Sequence, residues 1–205
     1  MRLAVLVSGS GTILEAILAE GIEVHCVLSD RPCRGLEVAQ AAGAMPLLVD
    51  RIGFGGFSEG FDRAGYTEAV RDALRAEKVD LVAMAGFGTV FSGSIYDSFA
   101  GRILNTHPAL LPAFPGWHGV EDALAAGATV SGCTVHLATE EMDAGPILAQ
   151  VAVEVLSEDS AESLHERIKQ VERRLYPATI AAAAAALEAG REIASIKGDL
   201  PQVEQ

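Results

Sequence analysis

Short apolar runs alternate with helical segments along most of the chain, and this alternation limits the folds that the sequence can adopt. Residues 3–7 are a continuous apolar run and residues 79–85 a strong β run of the kind found in buried parallel strands, and helical patterns such as residues 12–20 lie between such runs. Parallel strands joined by helices form an α/β fold. We therefore predict an α/β, Rossmann-like three-layer sandwich with a mostly parallel central sheet.

The pattern changes beyond residue 116. Residues 129–138 alternate apolar and polar side chains, and residues 146–155 form a second candidate strand after the loop 139–145. The spacing of Asp159 and Glu162 resembles a capping box at the start of a long helix that ends near residue 187. The sequence therefore predicts an antiparallel C-terminal extension of the sheet, followed by a long C-terminal helix.

Length, charge and cysteine content narrow the class of protein. A chain of 205 residues has room for one large domain, which we place at residues 1–190, with a C-terminal tail at 191–205. No apolar run is long enough for a signal peptide or a membrane span, and Cys26, Cys33 and Cys133 lack CxxC spacing. A net charge of −13 disfavours nucleic acid. We expect a cytoplasmic protein that acts on small molecules, without nucleic acid or membrane partners.

A glycine-rich turn follows the first apolar run. The residues Ser8-Gly9-Ser10-Gly11-Thr12 lead into a helix, where N–H groups without intrahelical partners attract anions such as phosphate. A dinucleotide is an alternative, because Gly9-x-Gly11 resembles the opening of GxGxxG and Asp30 follows about 20 residues on, but Leu14 occupies the third glycine position. The turn predicts a phosphate site, with a dinucleotide site or a purely structural turn as the alternatives.

Three polar residues have the chemistry of acyl transfer. Asn105 and His107 are two apart on the run that begins at 102–104, which we predict to be a short strand, so their side chains project to the same side, and both lie where that strand gives way to Pro108 and a loop. An amide N–H can stabilise an oxyanion, an imidazole can move a proton, and a carboxylate such as Asp143 can hold the imidazole in its useful protonation state. These groups can transfer a one-carbon acyl group without a metal.

Five motifs occur in order along the chain. They are Ser8-Gly9-Ser10-Gly11-Thr12, Ala85-Gly86-Phe87, Asn105-x-His107-Pro108-x-Leu110-Leu111-Pro112, Phe114-Pro115-Gly116 and Asp143-x-Gly145-Pro146. Together they resemble the folate-dependent formyltransferase family, and within it the phosphoribosylglycinamide formyltransferases, which use 10-formyltetrahydrofolate to make purines. The resemblance runs from the first strand to Tyr176-Pro177. The resemblance implies a Rossmann-like sheet and a formyl transfer catalysed by Asn105, His107 and Asp143.

The resemblance also implies which residues bind the two substrates. For glycinamide ribonucleotide they are Gly11, Thr12 and Ile13 at the phosphate, and Lys169 and Glu172 at the glycinamide end. For the reduced folate they are Arg63, Gly88, Thr89, Val90, Phe91, Asn105, Thr139, Glu140, Glu141, Met142 and Asp143. The family usually has serine and asparagine in place of Thr12 and Ile13, and often Met-Arg in place of Gly88-Thr89, so we expect backbone contacts rather than side-chain contacts at these positions.

The remaining histidines are assigned by their context. His118 matches a histidine near the family's site and is a supporting candidate, whereas His25, His136 and His165 have no such context and are assigned to strand or helix-surface roles. The histidines show no paired spacing, so we predict no metal site. A monomer or a homodimer is expected.

Three other functions share part of this pattern. A formyltetrahydrofolate hydrolase would use the same three polar residues with water as the nucleophile, but such enzymes usually carry an additional N-terminal domain. A methionyl-tRNA formyltransferase normally has a nucleic-acid-binding C-terminal domain, and the acidic balance of this chain disfavours tRNA. An NAD-binding Rossmann module is the alternative from a different class. Formyl transfer to glycinamide ribonucleotide remains the main prediction.

Overall fold

The computed structural model describes residues 1–198 of the chain. Its strands are β1 (Leu3–Val7), β2 (Cys26–Ser29), β3 (Met45–Leu48), β4 (Leu81–Met84), β5 (Ile103–His107), β6 (Val130–Leu137) and β7 (Ile147–Glu154). Its helices are α1 (Thr12–Ala19), α2 (Arg34–Ala41), α3 (Arg63–Ala76), α4 (Gly93–Ser98), α5 (Gly119–Ala125) and α6 (Ala161–Glu188), with 3₁₀ helices at Arg51–Phe54 and Ile193–Gly198.

The strands lie in one sheet in the order β3-β2-β1-β4-β5-β6-β7. β1 pairs in parallel with β2 and β4, and β2 pairs in parallel with β3, whereas β6 and β7 are antiparallel. The start of this order, 3-2-1-4-5, is that of a Rossmann sheet. The predictions of a mostly parallel Rossmann-like sheet, an antiparallel C-terminal pair and a long C-terminal helix are confirmed.

The chain divides into two compact units, Met1–Leu104 and a second unit that begins at Asn105. In the first unit every residue of β1 and β4 is buried, as expected of apolar strands covered on both faces. The edge strand β3 is mostly exposed and contains Pro46, whose missing N–H is tolerated at a sheet edge. The prediction of a single domain over residues 1–190 stays a prediction.

In the second unit, α6 packs against both β6 and β7 through one buried face. That face includes Leu164, Ile168, Val171 and Leu175, whose spacing of three or four residues places them on one side of the helix. The 3₁₀ helix Ile193–Gly198 packs on α6 and β7, so the first part of the predicted tail is ordered against the unit. Residues 199–205 of that tail lie outside the described residues.

Two local predictions are wrong. β5 spans Ile103–His107 and so extends three residues beyond the predicted strand 102–104, with Asn105 and His107 in its last part. The capping box of α6 is formed by Ser160 and Ser163, because Asp159 instead accepts hydrogen bonds from Arg167. Within the described residues, no helix has the length and apolar character to cross a bilayer.

Candidate active site

The end of β5 supplies the first two polar groups of the candidate site. Because side chains alternate along a strand, Asn105 and His107 project from one face and Thr106 from the other. His107 is 4% exposed, whereas Asn105 is only partly buried. Solvent can therefore reach the Asn105 amide, whereas the neighbouring His107 imidazole is almost fully buried.

His107 lies between two hydrogen-bond acceptors. Its Nδ1 is 3.3 Å from Oδ2 of Asp143, and its Nε2 is 2.7 Å from the carbonyl oxygen of Phe114. A carbonyl and an ionised carboxylate can only accept, so an imidazolium satisfies both contacts while a neutral ring satisfies one. Gly119 lies beside this pair, where a Cβ would stand 2.9 Å from both His107 Nε2 and Phe114 O. The arrangement suits a histidine that carries a transferable proton.

Asp143 is held by its neighbours in an ionised state. It has a left-handed φ of 56°, accepts a hydrogen bond from the Gly116 N–H at 2.8 Å, and lies 3.6 Å from Nε2 of His136. Burial alone would raise the pKa of the Asp143 carboxyl, but the Gly116 N–H and the charge of His107 lower that pKa below its ordinary value. The carboxylate is thus available to pair with His107.

The structure adds His136 to this network; the residue lies in strand β6, as its assignment to a strand role allowed, but that assignment did not include contacts with the site. The ring is 1% exposed, with Nε2 3.3 Å from Nδ2 of Asn105 and Nδ1 3.0 Å from the Leu137 carbonyl oxygen. The sequence carried no sign of this role, since His136 alternates with the apolar residues Cys133, Val135 and Leu137 rather than sharing their side of the strand. His118, by contrast, is exposed at the start of α5.

A second polar cluster occupies the other face of β5. Thr106 hydrogen-bonds to Glu172 and has its hydroxyl 3.4 Å from Cys133 Sγ. Burial raises the pKa of Glu172 to about 7, against the opposing effects of Thr106, Lys169 and Arg173. Burial likewise raises the pKa of the Cys133 thiol to about 12, which leaves it protonated and inert. Glu172 therefore titrates near neutral pH.

In the first unit, the glycine turn takes the form that anion binding requires. Gly11 precedes α1 with a left-handed φ of 76°, has no side chain to cap the helix, and approaches Gly35 so closely that a Cβ would lie 2.9 Å from its Cα. The first-turn N–H groups at Thr12 and Ile13 are thus left for a ligand. The Ile13 side chain is buried in the core, so only its backbone can serve this site.

The predicted folate segment after β4 is also in the first unit. The Gly88 N–H donates to the Ser8 hydroxyl at 2.9 Å, which joins this segment to the glycine turn. The buried Thr89 hydroxyl donates to Asp30 and accepts from Arg51, and Phe91 is buried as well. The Thr89 side chain is therefore occupied within the protein. Val90 is partly buried, and Arg63 is exposed at the start of α3.

The loop between β6 and β7 completes the predicted folate residues. Glu140, Glu141 and Met142 are exposed, and the Thr139 hydroxyl donates to the Glu141 carbonyl at 2.9 Å. Across the described residues, no group of three histidine, cysteine, aspartate or glutamate side chains is arranged to hold a metal ion. The loop is thus an exposed rim that ends at the buried carboxylate of Asp143.

Comparison with known proteins decides the family. A family model described as formyl transferase matches residues 1–180. The chain belongs to the formyltransferase family. It is 46% identical over 188 residues to a phosphoribosylglycinamide formyltransferase of Mycobacterium tuberculosis (strain CDC 1551 / Oshkosh), a match that covers 89% of this chain and 85% of the relative. The formyltransferases use a formyl-folate co-substrate, and formyl transfer is accordingly the activity of this chain.

Two further comparisons agree with this membership. The chain is 38% identical to the trifunctional purine biosynthetic protein adenosine-3 of Gallus gallus, over 88% of this chain and 18% of that longer protein. The crystal structure of glycinamide ribonucleotide transformylase 1 from Symbiobacterium toebii superposes with a TM-score of 0.78 at 43% identity, over 86% of this chain and 84% of that one. Neither comparison favours a hydrolase or an NAD-binding module.

Proposed function

We propose that this formyltransferase moves the formyl group of 10-formyltetrahydrofolate to the amino group of glycinamide ribonucleotide, a step of purine biosynthesis. The observation that carries the proposal is the buried network in which Asp143 contacts His107, and His136 links Asp143 to Asn105. Both substrates of this reaction are small molecules. The cytoplasmic location and the monomeric or homodimeric state stay predictions.

Asn105 and His107 would stabilise the charge that develops on the formyl oxygen. As the substrate amine forms a bond to the formyl carbon, the carbonyl electron pair moves onto oxygen and creates an oxyanion. The Nε2 proton of His107 is now donated to the neutral Phe114 carbonyl. A charged oxygen is a stronger acceptor than a carbonyl, so the oxyanion would take over this hydrogen bond. Asn105 would supply the second donor.

His107 and Asp143 would then complete the proton balance. Collapse of the tetrahedral adduct breaks the bond between the formyl carbon and the folate nitrogen, while the attacking amine loses a proton and the departing nitrogen gains one. His107 would relay this proton directly or through water. The ionised Asp143 would accept the Nδ1 proton of His107 and hold the imidazole oriented during the transfer.

The substrate-binding roles follow from the groups that each unit presents. The backbone N–H groups of Gly11, Thr12 and Ile13 would hold the ribonucleotide phosphate at the start of α1. Glu172, with Lys169 three residues before it on the same helix face, would receive the glycinamide end. A carboxyl that titrates near pH 7 can accept a proton from an incoming ammonium group, which leaves the neutral amine that attack requires.

The folate would be bound mostly by backbone groups. Thr89 is held by Asp30 and Arg51, so the segment Gly88, Thr89, Val90 and Phe91 would offer its main chain to the edge of the pterin ring. Thr139, Glu140, Glu141 and Met142 would border the ring from the exposed loop that ends at Asp143. The exposed Arg63 would attract a folate carboxylate.

The test is tetrahydrofolate release from 10-formyltetrahydrofolate, measured with and without glycinamide ribonucleotide. The proposal predicts release only when the acceptor is present, together with one formylated acceptor for each folate released. Equal release without the acceptor would instead identify a hydrolase, because water would then be the nucleophile. Binding of NAD without folate binding would contradict both activities.

A further inference from the structure

His136 takes no direct part in the transfer steps described above, although it contacts three groups of the network. Its Nε2 stands 3.3 Å from Asn105 Nδ2 and 3.6 Å from Asp143 Oδ1, and its Nδ1 stands 3.0 Å from the Leu137 carbonyl oxygen. The ring is buried, so water does not compete for these contacts. The proton positions on this ring therefore depend on three protein groups.

The hydrogen-bond partners of His136 select one protonation state of its ring. The Leu137 carbonyl can only accept, so Nδ1 carries a proton. The Asn105 amide nitrogen can only donate, so Nε2 presents its lone pair. The Asp143 oxygen at 3.6 Å is too far for a hydrogen bond. Only a neutral ring protonated at Nδ1 satisfies both short contacts.

The Leu137 carbonyl is itself fixed. Its residue donates an N–H to the Pro146 carbonyl at 2.9 Å, and Gly145 packs against it so tightly that a Cβ there would lie 1.7 Å from the Leu137 oxygen. The acceptor that sets the proton on His136 Nδ1 is thus held by the same strand pair that carries the ring. The tautomer is built into the β6–β7 hairpin.

We infer that His136 is a positioning residue that acts through Asn105. By accepting one N–H of the Asn105 amide, neutral His136 fixes the side of the site on which the amide nitrogen lies, and the second N–H of that nitrogen remains for the oxyanion. A proton on His136 Nε2 would point at the Asn105 NH₂ group, and the ring could then no longer accept a hydrogen bond from that amide. The inference rests on the proposed function, because it gives Asn105 the role of oxyanion donor.

A matched pair of neutral substitutions tests the positioning role. Glutamine places an amide oxygen near the position of Nε2, whereas asparagine reaches only the position of Nδ1. We expect kcat of His136→Asn to fall about tenfold, the loss of one hydrogen bond, with KM for both substrates within about threefold. His136→Gln should recover kcat to within about threefold of wild type. Equal losses in the two variants would overturn the inference.

A double-mutant cycle separates positioning from a general structural effect. If His136 acts through Asn105, then His136→Asn should change kcat by less than about twofold in an Asn105→Ala background. A further tenfold loss in that background would contradict the inference. The free energy of unfolding of each variant shows whether it folds.

The tautomer gives a readout that does not depend on turnover. The chain has five histidines, so imidazole nitrogens can be assigned by ¹⁵N–¹H correlation spectra. We expect His136 to carry its proton on Nδ1 and its Nε2 resonance to shift in Asn105→Ala. A proton on Nε2 would overturn the inference even if transfer to glycinamide ribonucleotide is intact. Failure of the proposed function would instead appear as wild-type enzyme that does not need this acceptor.

Discussion

His107 donates its Nε2 proton to the carbonyl oxygen of Phe114, a residue with a left-handed φ of 53°. A non-glycine residue rarely adopts this conformation, which costs on the order of 1 kcal/mol. The hydrogen bond keeps the proton in place and orients it, while the neutral carbonyl acceptor can be replaced by a charged one. A single side chain thus carries a proton that is held by the protein and is still transferable.

The raised pKa of Glu172 predicts how the stability of the protein depends on pH. Its pKa is raised from 4.5 to about 7 by burial, so between these values the folded protein binds more protons than the unfolded chain. Stability linked to Glu172 is therefore fully present below pH 4.5 and is lost as pH rises through 7, by up to about 3 kcal/mol. Glu172→Gln should lack this loss.

The measurement is the free energy of unfolding by urea at pH 5, 6, 7 and 8, taken as the difference between wild type and Glu172→Gln. Only the difference is informative, because other groups titrate in both proteins. A difference that stays constant from pH 5 to 8 would show that Glu172 is already ionised at the low end of this range.

At the scale of residues, Asn105, His107 and Asp143 could be found from the sequence because their chemistry and motif spacing are visible in it. His136 could not, because its role depends on a tautomer that is set by the Leu137 carbonyl and on the proximity of Asn105. Neither the backbone acceptor nor the contact between residues 31 positions apart leaves a pattern in the chain.

At the scale of elements, the hairpin β6–β7 brings Asp143 and His136 to the same site. The loop between its strands closes because Gly145 has no side chain, and a Cβ there would lie 1.7 Å from Leu137 O and 3.1 Å from Thr139 Cγ2. Gly145→Ala should lower the free energy of unfolding by about 1–3 kcal/mol, since it overpacks a fixed backbone. It should also lower kcat, because Asp143 moves with the loop.

Gly53→Ala is the matched control for this prediction. No atom lies within 4 Å of a Cβ at position 53, so its free energy of unfolding should stay within about 0.5 kcal/mol of wild type. Both variants are compared by urea unfolding and by turnover. Wild-type stability and turnover in Gly145→Ala would show that the loop adjusts without cost.

The type of each secondary-structure element was easier to predict than the residues at which it begins and ends. Apolar runs and helical periodicity are strong signals: the strands predicted at 3–7, 79–85, 129–138 and 146–155 and the helix predicted at 12–20 lie within two residues of their observed bounds. The end of β5 was missed because Asn105 and His107 interrupt the apolar run that marked the strand. The cap of α6 was misassigned because Asp159 pairs with Arg167, eight residues later, a contact that the local pattern does not reveal.

At the scale of the whole molecule, the central claim is that Asn105 and His107 stabilise the transition state of the proposed formyl transfer. The chain as a whole carries a net charge of −13 and binds, in the proposed reaction, two anionic substrates. Its overall field therefore opposes their approach, and recognition must come from local groups such as the N–H groups at the start of α1.

The most direct measurement is the single-turnover rate of formyl transfer to glycinamide ribonucleotide by wild type, Asn105→Ala and His107→Ala. Each substitution should lower the rate by about 100- to 1000-fold, as expected for loss of one oxyanion donor, with the free energy of unfolding still sufficient for a folded protein. His25→Ala, which removes a partly exposed histidine paired with Glu77, should keep the wild-type rate. Near wild-type rates in folded Asn105→Ala or His107→Ala would contradict the central claim.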